Sequence, residues 1–278
     1  MEQKEQIKSS AELRRMARQQ LKGNWGLAIL LVFVYEAIVA SCAIPRVGLI
    51  IYFAVSGALI LGFNSCFLKI ARGEKNKIEN IFSGFKNFVS AFLLQLLIII
   101  FTLLWALIAI VPFVATILIV VSKNTYYASC DTGTKAIVIA AFVGFFVLLI
   151  PAIIAQYRYS MSYYILSDCP DIGAYNAIKK SKTMMKGYKL KLFWLNLTFI
   201  GWYILGMIPL IGGVVFLIIN MNKIDSIAGI VVWIIISYVI LIADSLFVIP
   251  YAVTANANFY ENLKDIVKID LVKIDLDY

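Results

Sequence analysis

Six apolar runs, Trp25 to Ile44, Val47 to Leu68, Phe88 to Val121, Ala136 to Tyr157, Leu192 to Ile219 and Ile227 to Ile249, fill more than half of the 278-residue chain. They hold only two charged residues, Glu36 and Asp244. About 20 such residues in a helix cross the hydrocarbon core of a bilayer, where a helix also satisfies every backbone N–H and C=O within itself. The expected fold class is therefore an all-α membrane protein with six transmembrane helices and no sizeable soluble domain. Composition agrees: 62% of residues are hydrophobic and 15% charged, against about half and a quarter in soluble domains.

The chain contains no histidine, which removes Ser-His-Asp and Cys-His catalysis and histidine-bound metals, and it carries no Walker or dinucleotide glycine motif. We expect no enzyme activity, no cofactor and no metal site. Cys42, Cys66, Cys130 and Cys169 lie far apart without a CxxC pair, which argues against a zinc knuckle, a redox motif or a disulfide framework. Asp168-Cys169-Pro170-Asp171 reads as a turn with an N-cap before an amphipathic segment from Ile172 to Met185. Residues 1–24 are charged and helix-prone, and no small-residue cleavage site follows, so Trp25 to Ile44 reads as a retained first span.

Of the 25 lysines and arginines, 21 fall in the N-terminal segment, Lys69 to Lys86, Arg158 to Lys191 and the C-terminal tail. The other side holds four, Arg46, Lys123, Lys135 and Lys223. By the positive-inside rule both termini are expected in the cytoplasm. The net charge of +9 reads as orientation and attraction to anionic lipid, and no nucleic-acid partner is expected because the short loops supply no folded basic surface.

Three markers recur in one order. A basic amphipathic segment ends at a glycine flanked by lysine or aromatic residues, in Leu21-Lys22-Gly23-Asn24-Trp25, Phe82-Ser83-Gly84-Phe85-Lys86 and Met185-Lys186-Gly187-Tyr188-Lys189. The next run meets a proline, at Pro45, Pro112 and Pro209, and the even run leaves through small polar residues and an aromatic. The exits are Asn64-Ser65-Cys66-Phe67, Ser160-Met161-Ser162-Tyr163 and Asn256-Ala257-Asn258-Phe259. We read three repeats of an interfacial amphipathic helix plus a helical hairpin. In the first helix Leu13, Met16, Ala17 and Leu21 share a face beside Arg14, Arg15, Arg18 and Lys22, as expected of a helix lying among anionic headgroups. The organisation is thus an N-terminal helix over 1–24, a membrane domain over 25–263 and a cytoplasmic tail over 264–278.

Ala17-Arg18-Gln19-Gln20-Leu21-Lys22-Gly23-Asn24-Trp25, Ser181-Lys182-Thr183-Met184-Met185-Lys186-Gly187-Tyr188-Lys189 running into Phe193-Trp194-Leu195, then Phe199-Ile200-Gly201-Trp202, and Pro250-Tyr251 with Phe259-Tyr260, together resemble a bacterial membrane family, domain-of-unknown-function family 975. The resemblance covers nearly the whole chain and carries no activity or catalytic residue to transfer. It implies the cytoplasmic membrane of a Gram-positive bacterium. More loosely the chain is similar to the membrane domains attached to some glycerophosphodiester phosphodiesterases, which implies a lipid-facing or scaffolding role.

Two sets of residues are candidates for function. Glu36 and Asp244 fall at similar sequence distances from the cytoplasmic ends of their runs, and a lone ionised carboxylate inside a bilayer costs about 2.5–3.5 kcal/mol or more. They are either a proton- or cation-linked site or protonated structural carboxyls. Asn64, Ser65, Gln156, Arg158, Ser160, Ser162, Thr254, Asn256 and Asn258 form the second set, a polar vestibule open to the cytoplasm in which Arg158 could meet an anionic headgroup; ordinary interfacial polarity is the alternative. The third and fifth runs exceed what a straight span needs, so Pro112 and Pro209 are expected helix breaks, with Pro45 at the corresponding position after the first run. The duplicated tail Val267-Lys268-Ile269-Asp270-Leu271 and Val272-Lys273-Ile274-Asp275-Leu276 is expected to be disordered or to dock on a partner. Expected partners are membrane lipids with anionic headgroups, then a protein partner or a second copy of the chain. The leading expectation is a lipid-interacting or scaffold protein, the alternative a transporter using Glu36 and Asp244.

Overall fold

The computed structural model describes residues 7–42, 48–126, 132–219 and 227–276. Among them every regular element is helical: α1 (Ser10–Leu21), α2 (Trp25–Ser41), α3 (Gly48–Arg72), a 3₁₀ helix over Ile78–Asn87 leading into α4 (Phe88–Tyr126), α5 (Thr132–Tyr159), α6 (Ser162–Asp168), a 3₁₀ turn (Pro170–Ile172), α7 (Ala174–Met184), α8 (Lys189–Ile219) and α9 (Ile227–Leu276). Five of these helices, α3, α4, α5, α8 and α9, are long and apolar enough to cross a membrane, or up to six spans if α1 and α2 count as one element across the 98° bend between them. Their outward faces carry exposed Leu104, Leu118, Ile139, Val143, Trp202 and Ile235. Such a surface suits lipid and not water, and the architecture is consistent with a multi-pass membrane protein.

The packed core gathers at one end of the helices. Leu13 and Ala17 of α1, Leu68 of α3, Leu166 of α6, Ile178 of α7 and Phe259 of α9 are buried in a single cluster. The hairpins α4–α5 and α8–α9 pair along their length, and α3 packs against both α4 and α9.

Glycines set the closest approach. A Cβ on Gly62 would lie 1.8 Å from the Ile81 carbonyl oxygen, and one on Gly84 would lie 2.0 Å from the Ala58 carbonyl oxygen. Only hydrogen fits there, which is how small residues let helix backbones touch in membranes. Gly23 and Gly187, at φ +90° and +85°, instead supply the left-handed turns that end α1 and precede α8.

Several expectations need correction. Ser9 caps α1 by accepting the Glu12 N–H at 3.3 Å. Its apolar residues Leu13, Ala17 and Leu21 are fully buried by protein, chiefly against α9, where the sequence placed them among lipid headgroups. The middle amphipathic segment is a 3₁₀ helix continuous with α4, not a separate interfacial α-helix. Pro112 and Pro209 stand inside α4 and α8, and neither ends its helix. A proline lacks the N–H that would bond the carbonyl four residues earlier, and a packed membrane helix tolerates that single loss; at the prolines' own carbonyls the Thr116 hydroxyl donates to Pro112 at 2.8 Å, and the Trp233 indole to Pro209 at 3.1 Å, the latter tying α9 to α8. Pro45 lies outside the described residues. α9 stays helical through Leu276, so the duplicated tail prolongs that helix. Asp168 is the last residue of α6, and the N-cap position of α7 belongs to Gly173.

Candidate functional site

The ends of α3 and α6 meet residues 260–264 of α9 in a cluster of charges. Arg72, the last residue of α3, donates through Nη2 to Asp168 Oδ1 at 2.8 Å and Oδ2 at 3.0 Å. Lys264 Nζ donates to Asp168 Oδ2 at 2.6 Å and the Tyr260 hydroxyl to the same oxygen at 2.9 Å, both from α9. Arg72 also reaches Glu261 Oε1, through Nε at 3.0 Å and Nη2 at 2.5 Å. Tyr260 stacks on Tyr164 at 5.3 Å between centroids.

A carboxylate at the C-terminal end of a helix sits at the negative end of the helix dipole, so Asp168 depends on the cations brought to it. Its side chain is only 11% exposed, those of Arg72, Lys264 and Glu261 between 27% and 30%. Burial would raise the Asp168 carboxyl, but the hydrogen bonds from Lys264, Arg72 and Tyr260, with the Arg72 charge, outweigh it and hold the group below its ordinary value. The start of α6 is fixed from outside: Ser181 on α7 accepts the Met161 N–H at 3.2 Å and donates to the Arg158 carbonyl at 3.0 Å, holding the turn between α5 and α6.

Arg72, Asp168 and Lys264 are 96 residues apart in sequence. Each lies five residues beyond the exit aromatic of its run, Phe67, Tyr163 and Phe259. The sequence offers Asp168 only as part of a capping turn, and Arg72 and Lys264 read as ordinary solvated charges past their spans; shared register with the exit motif is the signal that finds them.

A second polar contact lies beside the cluster. Gln20 of α1 and Asn258 of α9 exchange amide hydrogen bonds at 2.9 Å and 2.7 Å, and Gln20 also donates to the Ala71 carbonyl at 2.7 Å. Gln20 thereby ties α1 to the exits of α3 and α9.

The structure places the residues expected of the vestibule in differing surroundings. Asn258 is buried and paired with Gln20, Asn64 donates to the Ile60 carbonyl at 2.8 Å and the Ser160 hydroxyl to the Tyr157 carbonyl at 2.9 Å. Thr254 is buried and donates to the Pro250 carbonyl at 2.7 Å. Ser162 Oγ and Asn256 Oδ1 are buried with no hydrogen-bond partner, Gln156 is exposed, and Ser65 and Arg158 are half-buried. Glu36 is exposed on α2. Asp244 is half-buried against Gly206 of α8, where a Cβ would come within 2.7 Å of its Oδ2.

The family described as protein of unknown function DUF975 matches residues 1–266. The chain belongs to that family. No curated protein and no solved structure matches it. For this DUF975 protein, chemistry must therefore be argued from the site. Both Asp168 oxygens are engaged and two carboxylates balance two cations, so the set fastens the ends of α3 and α6 to α9.

Proposed function

We propose that this DUF975 protein is a lipid-interacting scaffold of the bacterial cytoplasmic membrane, without enzyme activity, with both termini and the Asp168 cluster on the cytoplasmic side. The observation that carries this reading is that Arg72, Asp168 and Lys264, and likewise Gln20 and Asn258, bind one another across the helix exits. The charge asymmetry of 21 basic residues against four supports the orientation.

The same contacts support three repeats. The 3₁₀ segment packs on α3, α7 packs on α6, and α1, which follows no earlier run, packs on α9. Each segment thus sits on the exit of an even run, the first closing the set against the last. Register-equivalent residues at 96-residue spacing meeting in one cluster is the outcome expected of repeats arranged around a common axis.

The second reading, a proton- or cation-coupled transporter, rests on Asp244 as a carboxyl within the apolar run of α9 that faces α8 at Gly206. Two sets of variants separate the readings. Glu36→Gln and Asp244→Asn should leave the scaffold's lipid retention unchanged; loss of a solute flux in a folded Asp244→Asn protein would favour transport. Reversing Lys182, Lys186 and Lys189, the first two of them exposed, should lower retention of anionic lipid counted by native mass spectrometry, since each basic residue near an anionic surface contributes about 1 kcal/mol. Undiminished retention would contradict the scaffold reading.

A further inference from the structure

The 3₁₀ helix over Ile78–Asn87 runs for 10 residues, long for a conformation seldom sustained beyond three or four. At three residues per turn, side chains at i and i+3 eclipse, so the segment has three faces. Ile81 and Gly84 form the buried face against α3. Asn80, Ser83 and exposed Lys86 form a polar face, with exposed Lys77 just ahead of it. The third face begins at exposed Glu79 and continues as Phe82, Phe85 and, at the first residue of α4, Phe88, all exposed.

These rings form a continuous ladder. Phe82 to Phe85 is 6.3 Å between centroids, Phe85 to Phe88 6.2 Å and Phe88 to Phe92 6.3 Å, and Phe92 meets Phe53 of α3 edge-on at 5.7 Å. From Phe82 to Phe92 the ladder rises roughly 18 Å, at about 2.0 Å per 3₁₀ residue and 1.5 Å per α residue. That is enough to lead from the headgroups into the acyl region, and its upper end merges with the lipid-facing surface of α4.

We infer that this ladder, with Lys77 ahead of its entry and Lys86 on the adjoining face beside its lower rungs, is a binding strip for an anionic phospholipid, whose headgroup meets the lysines and whose acyl chain lies along the rings. Two lysines against the single Glu79 carboxylate at the head of the ladder, and continuity with the lipid-facing helix, select this occupant, and the inference rests on the membrane reading proposed above. Tyrosine and tryptophan are the usual interfacial anchors because their polar ends stay wet. A column of phenylalanine has no polar tip and suits a chain rather than a headgroup, which leaves headgroup recognition to the lysines.

The test is photocrosslinking of the full chain, with p-benzoylphenylalanine replacing Phe85, in nanodiscs of equal phosphatidylglycerol and phosphatidylcholine, the adducts being identified by mass spectrometry. A second protein carries the probe at Leu104, exposed on the middle of α4. The strip predicts preferential phosphatidylglycerol adducts at position 85, with a preference of up to about fivefold per lysine, and none at position 104. Lys77→Glu with Lys86→Glu should abolish the preference while lipid adducts persist. Equal labelling of both lipids at position 85, or no lipid adduct there while position 104 still labels, overturns the strip alone; absence of lipid adducts at both positions overturns the membrane reading with it.

Discussion

Replacing Asp168 by asparagine is expected to destabilise the protein by about 2–4 kcal/mol, below the cost of breaking a fully buried ion pair and well above that of a surface pair. The substitution keeps the shape but leaves Arg72 and Lys264, 27% and 29% exposed, close together without their shared carboxylate. Removing the whole set, as Arg72→Met, Asp168→Leu, Glu261→Gln and Lys264→Met together, should cost less than Asp168→Asn alone, because no uncompensated charge remains in the cluster. Reversible unfolding in mixed micelles measures both, and equal or additive costs would show that the four groups do not act as one unit. The pH dependence has a definite sign. Because the folded state holds Asp168 below its ordinary value of 3.8, its contribution is present above that value and is lost as pH falls through the lower folded value. Wild-type protein should lose stability over that acid range by more than Asp168→Asn does.

The second large effect is expected at Gly62. An alanine there puts Cβ 1.8 Å from the Ile81 carbonyl oxygen, and a backbone atom cannot rotate aside. α3 must move away from the 3₁₀ helix, so the cost should reach or exceed about 3 kcal/mol, the upper end of overpacking. Gly84→Ala presses on the same contact from the other side, 2.0 Å from the Ala58 carbonyl oxygen; once one has separated the helices the other adds little, and the double variant should cost less than the sum. Gly144→Ala is the control. It lies inside α5 with nothing within 4 Å of a Cβ, and should be neutral or stabilising by up to about 1 kcal/mol. Thermal unfolding of the four proteins should therefore show effects of opposite sign for the same chemical change.

Much of the fold was legible because lipid imposes one simple rule, long uncharged runs, and α3, α4, α5, α8 and α9 follow it. What escaped was set by tertiary contacts. Leu13, Ala17 and Leu21 have the spacing of a lipid-facing stripe, and periodicity does not distinguish a lipid surface from α9 as the apolar partner. The rings of Phe82, Phe85 and Phe88 align only at the 3₁₀ period of three; at the α-helical period they read as a diffuse amphipathic segment. Pro112 and Pro209 signal breaks by the rules of soluble helices, yet each removes only the one bond of its missing N–H, and α4 and α8 continue through them. In the candidate site, Asn258 was visible as a polar exit residue, yet its partner Gln20 lies 238 positions away. The Arg72, Asp168 and Lys264 cluster needed the register of the exits to be compared across 96 residues, and only contact between them gives that register a physical meaning.

The most direct measurement is crosslinking at that cluster. In a background with the four native cysteines replaced, cysteine pairs at positions 72 and 168 and at positions 168 and 264 should both be joined by a short bismaleimide in native membranes. Prior treatment with a membrane-impermeant maleimide should block the reaction in inside-out vesicles and leave it intact in whole cells. Crosslinking of both pairs with that sidedness is the result expected if the three exits converge on the cytoplasmic face. Failure of either pair to crosslink would contradict the convergence, and blocking in whole cells would contradict the orientation.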